Sequence, residues 1–90
     1  MSQHTPNELT AIFRRDHDLL TALKTQDAHY ARLAGEYHEV NRAVHRHESE
    51  AEVVSDDHAE ALKKRRLALL DEITTIVERA RSADAPGAAA

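Results

Sequence analysis

The sequence lacks cysteine and has few of the residues that interrupt helices. Cysteine and tryptophan are absent, glycine and proline occur twice each, and the aromatic residues are two tyrosines and one phenylalanine. The lack of cysteine excludes disulfides, thiolate chemistry and cysteine-based zinc sites, and it permits a reducing compartment. In a chain of 90 residues, the scarcity of glycine and proline favours one small domain of long helices over a sheet.

Long apolar runs are also missing. No stretch approaches the roughly 18 apolar residues of a membrane span, and the first residues lack the basic and apolar regions of a signal peptide. We therefore expect a cytoplasmic protein without membrane contact. The formal net charge of −4 argues against nucleic-acid binding, since neutralising phosphates requires a basic face.

Two segments, 30–44 and 57–81, have apolar residues spaced alternately three and four apart, which gives each helix one narrow apolar stripe. A short polar stretch separates them, so the pattern predicts an all-α fold with an antiparallel, coiled-coil-like helical hairpin. The stripes match when Val44 faces Leu62 and Tyr37 faces Leu69. Arg66 then falls opposite Val40, and we expect it to fix the register. The predicted hairpin seam comprises Tyr30, Leu33, Tyr37, Val40, Val44, Leu62, Arg66, Leu69, Ile73 and Ile76.

An additional N-terminal helical segment is expected ahead of the hairpin. The predicted order is a flexible leader at 1–6, a helix at 7–25, a hairpin helix at 27–48, a loop at 49–56, a hairpin helix at 57–81 and a disordered tail at 82–90. The polar residues 24–28 favour a break, with Asp27 capping the second helix. One continuous helix over 7–48 is the alternative, because neither glycine nor proline enforces that break.

Within the hairpin, the runs Tyr30-Ala-Arg-Leu33, Glu36-Tyr-His-Glu-Val40 and Leu62-Lys-Lys-Arg-Arg-Leu-Ala-Leu-Leu-Asp-Glu-Ile73 resemble the YdcH-like family of small bacterial proteins. The resemblance covers roughly residues 20–80. The chain departs from the family pattern at Leu70, where a lysine is usual, and at Ala28, where a proline often stands. The resemblance implies a self-associating helical hairpin with no assigned biochemical activity, and it supplies no catalytic residues.

Candidate chemistry is sparse. Seven histidines are many for this length, and the register places His47 near His58, but no HExxH motif or other histidine pair one helical turn apart supports a metal site. The run 63–66 is basic, yet acidic residues flank it at helical spacing, which is typical of a solvated charged face. We expect no catalytic, cofactor-binding or metal-binding residues, because a two-helix hairpin offers no concave pocket.

The remaining apolar residues favour a noncatalytic oligomerising or adaptor module. An isolated hairpin would leave apolar side chains in water, so we expect a homo-oligomer, either a dimer or a tetramer, or an unidentified protein partner. A fold-back of the N-terminal segment over the hairpin is the competing interpretation. The alternative function is a small regulator that binds nucleic acid through 63–66 or a divalent metal through the tip histidines. The predicted oligomer or partner face comprises Leu9, Ile12, Phe13, Leu19, Leu20, Leu70 and Val77.

Overall fold

The computed structural model describes residues 8–49 and 54–84, which form helices and no strand. The elements in chain order are α1 (Leu9–Ile12), a 3-10 turn (Arg14–Asp16), α2 (His17–Gln26), α3 (Ala28–Glu48) and α4 (Asp56–Asp84). The predicted fold class, an all-α hairpin with an additional N-terminal helical segment, is confirmed. The predicted leader and the residues after Asp84 lie outside the described residues, as does most of the loop, 50–53.

The hairpin consists of α3 and α4, which pack along most of their lengths. Near the loop, Lys63 of α4 contacts Glu48 at the end of α3, and Arg65, which comes later in α4, contacts Glu36, which comes earlier in α3. The helices are therefore antiparallel. Helix α4 begins at Asp56 and continues to Asp84, three residues beyond the predicted end at Arg81.

A break between α2 and α3 lies at a single residue, Asp27. Its backbone is extended, with φ −121° and ψ 101°, and its Oδ1 accepts a hydrogen bond from the Tyr30 backbone N–H at 3.0 Å. The Asp27 N–H donates to the Leu23 carbonyl at 2.8 Å and closes α2. Asp27 thus ends one helix and caps the next, as aspartate does well, and residues 7–48 do not form one continuous helix.

The N-terminal segment, residues 9–26, is also interrupted, although the sequence predicts one helix over 7–25. Helix α1 ends at Ile12, and Phe13 leaves the helical conformation with φ −111° and ψ 45°. Phe13 is buried, whereas Asp16, which interrupted the apolar pattern of the predicted helix, lies in the 3-10 turn. A straight helix would carry Asp16 on its apolar side, whereas in the 3-10 turn Phe13 enters the core and the Asp16 side chain stays at its edge, 16% exposed.

The N-terminal segment folds back over the hairpin, which corrects the predicted oligomer or partner face. Four residues of that face, Leu9, Phe13, Leu20 and Val77, are buried within the chain, and Val77 is fully buried. Leu19 and Leu70 are partly buried against the same core, and Ile12 stays exposed. The expectation that most of these side chains need a second chain is therefore wrong, because the fold-back already covers them.

The hydrophobic core unites the hairpin with the N-terminal segment. Its buried members are Leu9, Phe13, Leu20, Tyr30, Leu33, Ala34, Tyr37, Val40, Val44, Leu69, Ile73 and Val77. Among the described residues, no helix combines the length and apolarity needed to cross a bilayer.

Candidate interaction face

The predicted seam residues lie between the helices, with one polar pair among them. Seven are buried, namely Tyr30, Leu33, Tyr37, Val40, Val44, Leu69 and Ile73, while Leu62 and Ile76 are partly buried against them. Arg66 is half-buried, and its Nη1 donates to Asn41 Oδ1 at 3.0 Å. Because Asn41 is only 1% exposed, this bond satisfies a buried amide oxygen and favours one register of the hairpin. Burial raises the pKa of the Tyr30 and Tyr37 hydroxyls, and the nearby Arg66 charge opposes this at Tyr37.

The basic run 63–66 is largely tethered to α3. Three of its side chains have partners there: Lys63 Nζ lies 4.0 Å from Glu48 Oε2, Arg65 Nη2 donates to Glu36 Oε1 at 2.7 Å, and Arg66 bonds Asn41. The Lys64 side chain has no ion pair or hydrogen bond with the described part of the chain. Three of the four basic side chains therefore already have partners on α3, and these partners partly neutralise the charge that an approaching polyanion would meet.

Two exposed apolar side chains meet on one side of α4. Ile12 is 42% exposed and Leu67 is 59% exposed, and among the described residues they are the large hydrophobic side chains that stay exposed. Both line a shallow groove of about 330 Å³, together with Tyr37, Lys63, Arg66 and Leu70. We call Ile12, Leu67 and Leu70 the α4 face. Exposed apolar residues that adjoin in this way mark interaction sites more often than scattered ones do.

Two unpaired charges of opposite sign flank Leu67 along α4. Lys64 lies three residues before Leu67 and Asp71 lies four residues after it, so all three project from the same side of the helix. Both charged residues are exposed. Within residues 8–49 and 54–84, the Asp71 side chain, like that of Lys64, has no hydrogen-bonding or ionic partner. The α4 face thus has a cation on one end and an anion on the other.

A bidentate ion pair fastens the N-terminal segment to the far end of α4. Arg81 Nη2 donates to Asp16 Oδ2 at 2.7 Å, and Arg81 Nε donates to Asp16 Oδ1 at 3.3 Å. The hydrogen bonds from Arg81 hold the pKa of the Asp16 carboxyl below its usual value, and the carboxylate raises the pKa of Arg81. This pair could not be predicted from the sequence, because its members are 65 residues apart and only the fold-back brings them together.

The tip histidines do not form a cluster suited to a metal. His45 and His58 are exposed, and His47 is half-buried with its Nδ1 at 3.4 Å from the Val54 backbone N–H. In the part of the chain that the structure describes, no three histidine, cysteine, aspartate or glutamate side chains converge as a metal site requires. No geometry among these residues favours the metal-binding alternative.

Leu67 is the member of the α4 face that sequence reasoning missed. The predicted seam includes Leu69 and the predicted oligomer or partner face includes Leu70, whereas Leu67 belongs to neither set. Its signal was present, because Leu67 lies four residues after Lys63 and three before Leu70 on one helix surface.

Comparison with known proteins identifies the hairpin. The family model described as "Protein of unknown function (DUF465)" matches residues 31–77, a little over half of the chain. The match covers most of α3 and α4 and lies within the region, roughly 20–80, of the predicted resemblance to the YdcH-like family, which it confirms. No curated protein and no solved structure matches the chain significantly.

Proposed function

This chain belongs to the DUF465 family of proteins of unknown function, and we propose that it is a noncatalytic oligomerising module. Its working surface is the α4 face, and its partner is a second copy of the chain. The observation that carries the proposal is the exposure of Ile12 and Leu67 beside one groove. The absence of cysteine, which suits a reducing compartment, supports a cytoplasmic setting.

The charges along α4 favour an antiparallel, twofold-symmetric pair. With the axis at Leu67, the two Leu67 side chains meet, and Lys64 of each copy comes opposite Asp71 of the other. In this arrangement Lys64 of one copy and Asp71 of the other differ in height along the helix axis by only about the rise of one residue, roughly 1.5 Å. A twofold interface repeats each contact, so two ion pairs flank one apolar centre.

The contact is expected to be weak. Fully burying a leucine or isoleucine is worth about 1.5–3 kcal/mol, so covering the exposed parts of Leu67 and Ile12 on both copies contributes roughly 3–6 kcal/mol. Association itself costs at least about 4 kcal/mol. The two flanking ion pairs add up to about 1 kcal/mol each, so the favourable end of these ranges leaves a net of roughly 4 kcal/mol. We therefore expect a dissociation constant on the order of 1 mM, which corresponds to association at high local concentration.

The described charged contacts support a noncatalytic role. The ion pairs Asp16–Arg81 and Glu36–Arg65 join different helices, so these groups serve to hold the fold together. The remaining basic side chain of 63–66, Lys64, has its proposed partner across the interface.

Sedimentation of the full chain over a range of concentrations tests the proposal. We expect monomer and dimer in exchange, with the dimer lost in Leu67→Glu, since a buried unpaired carboxylate is costly. Lys64→Asp and Asp71→Lys each place like charges opposite one another, so each weakens the dimer, and the double variant restores it. Glu39→Lys makes a comparable charge change on the exposed side of α3 and is the matched control.

A chain that stays monomeric up to millimolar concentration contradicts self-association. If such a chain captures another protein and loses it in Leu67→Glu, the α4 face serves as an adaptor surface for that protein instead. Retention of the dimer in Leu67→Glu would show that a different surface pairs.

A further inference from the structure

A cleft separates the N-terminal segment from α3, on a different part of the molecule from the α4 face. Its volume is about 310 Å³, and Leu9, Leu20, Tyr30 and Ala34 form its buried apolar floor. Polar side chains from α2 and α3, including Lys24 and His38, also line it. This volume is at the small end of the roughly 300–1,000 Å³ usual for ligand pockets, and an apolar floor with few polar groups is typical of them.

Gly35 keeps the cleft open. It lies inside α3, where glycine costs about 1 kcal/mol relative to alanine. A Cβ built on Gly35 would have no atom within 4 Å, so close packing does not require the glycine. The neighbouring Ala31 and Ala34 are also small and line the same cleft. The α3 side therefore leaves space that a larger residue would fill.

The polar groups suit an anion. None of the described residues that line the cleft is acidic, while Lys24 supplies an exposed ammonium group. His38 is half-buried, and this burial lowers the pKa of its imidazole, an effect that Lys24 and Arg42 reinforce and Glu8 opposes. The lowered pKa favours the neutral imidazole of His38, which offers a hydrogen bond without a second charge.

We propose that this cleft binds a small amphipathic carboxylate. Its apolar chain lies on Leu9, Leu20 and Ala34, and its carboxylate pairs with Lys24 at the edge of the cleft. A straight-chain acid of medium length fits this arrangement, because it combines an unbranched apolar body with one terminal anion. The inference is independent of the proposed self-association, since no residue of the α4 face lines the cleft.

Titration of the full chain with octanoate, followed by amide NMR, tests the proposal. We expect saturable shifts at Thr21, Ala31 and Gly35, and weaker binding of 1-octanol, which has the same chain without the charge. Lys24→Gln should reduce octanoate affinity about two- to fivefold, the range of an exposed ion pair, and leave octanol binding unchanged. Arg79→Gln, which removes an exposed cation of α4 outside both the cleft and the α4 face, is the control and should bind octanoate as the unaltered chain does.

Substitutions at Gly35 that fill the cleft provide a second test of the proposal. Gly35→Leu should abolish octanoate binding, and Gly35→Ala should weaken it while raising the unfolding midpoint, because alanine is the better helix former. The alanine variant keeps the test valid if the leucine variant fails to fold. Absence of saturable shifts, equal binding of octanol and octanoate, or undiminished octanoate affinity in a folded Gly35→Leu would each overturn the proposal.

Discussion

Truncation of two leucines to alanine distinguishes the fold-back from an open hairpin. Leu20, in α2, is 6% exposed, and Leu67, in α4, is 59% exposed. Removing a buried leucine side chain costs about 2–5 kcal/mol, whereas a surface change away from special features stays within about 0.5 kcal/mol. Leu20 packs through one short segment that can detach locally, which limits the loss. We therefore expect about 2–3 kcal/mol for Leu20→Ala and less than about 0.5 kcal/mol for Leu67→Ala.

Urea unfolding followed by circular dichroism measures both variants under the same conditions. The protein concentration should be low, so that dimerisation through Leu67 does not contribute to stability. Both variants replace a helical leucine with alanine, so the contributions of helix propensity and side-chain entropy to the two losses of unfolding free energy largely cancel. The difference between the losses therefore reports how deeply each leucine is buried. Equally small losses of unfolding free energy in the two variants would refute the fold-back, because they would show that Leu20 does not pack against the hairpin.

Two further predictions concern Asp27 and His38. Asp27→Ala removes the cap of α3 and should lower the free energy of unfolding by about 1 kcal/mol. Asp27→Asn keeps a capping side chain and should lose much less stability. Equal losses for the two variants in urea unfolding would contradict the capping role. Burial lowers the pKa of His38 in the folded chain, so the unfolded chain binds this proton first and stability falls as pH drops below about 6.5. His38→Gln should lose less stability than the unaltered chain between pH 7 and 5, and identical pH profiles would contradict this.

The hairpin could be predicted because its information is local and periodic. Apolar residues three and four apart identify both helices, and the match between two stripes fixes how they face. The register predicts that Arg66 lies opposite Val40, and in the structure Arg66 bonds to Asn41, the next residue of α3. Such a pattern needs no knowledge of the rest of the chain.

The fold-back is the competing interpretation that the sequence favours less, for a reason that the structure corrects. Residues 24–28 contain no glycine or proline to build a tight reversal, which favours association when the sequence alone is considered. Asp27 makes the reversal by adopting an extended backbone, with φ −121°, while its side chain caps the next helix. Any residue can adopt this conformation, so the absence of glycine did not exclude the turn. The ion pair of Asp16 with Arg81 was hidden for the same reason, since it exists only after the reversal.

The family match separates the hairpin from the segment that covers it. Residues 31–77 comprise most of α3 and α4, whereas the N-terminal segment lies outside the match. Val77, at the end of the matched region, is fully buried here in a core that includes Leu9, Phe13 and Leu20 of that segment. In this chain the segment covers the apolar edge that a bare hairpin would present to a partner. Among residues 8–49 and 54–84, the apolar surface left for association is the small α4 face around Leu67, and we therefore expect reversible rather than obligate pairing.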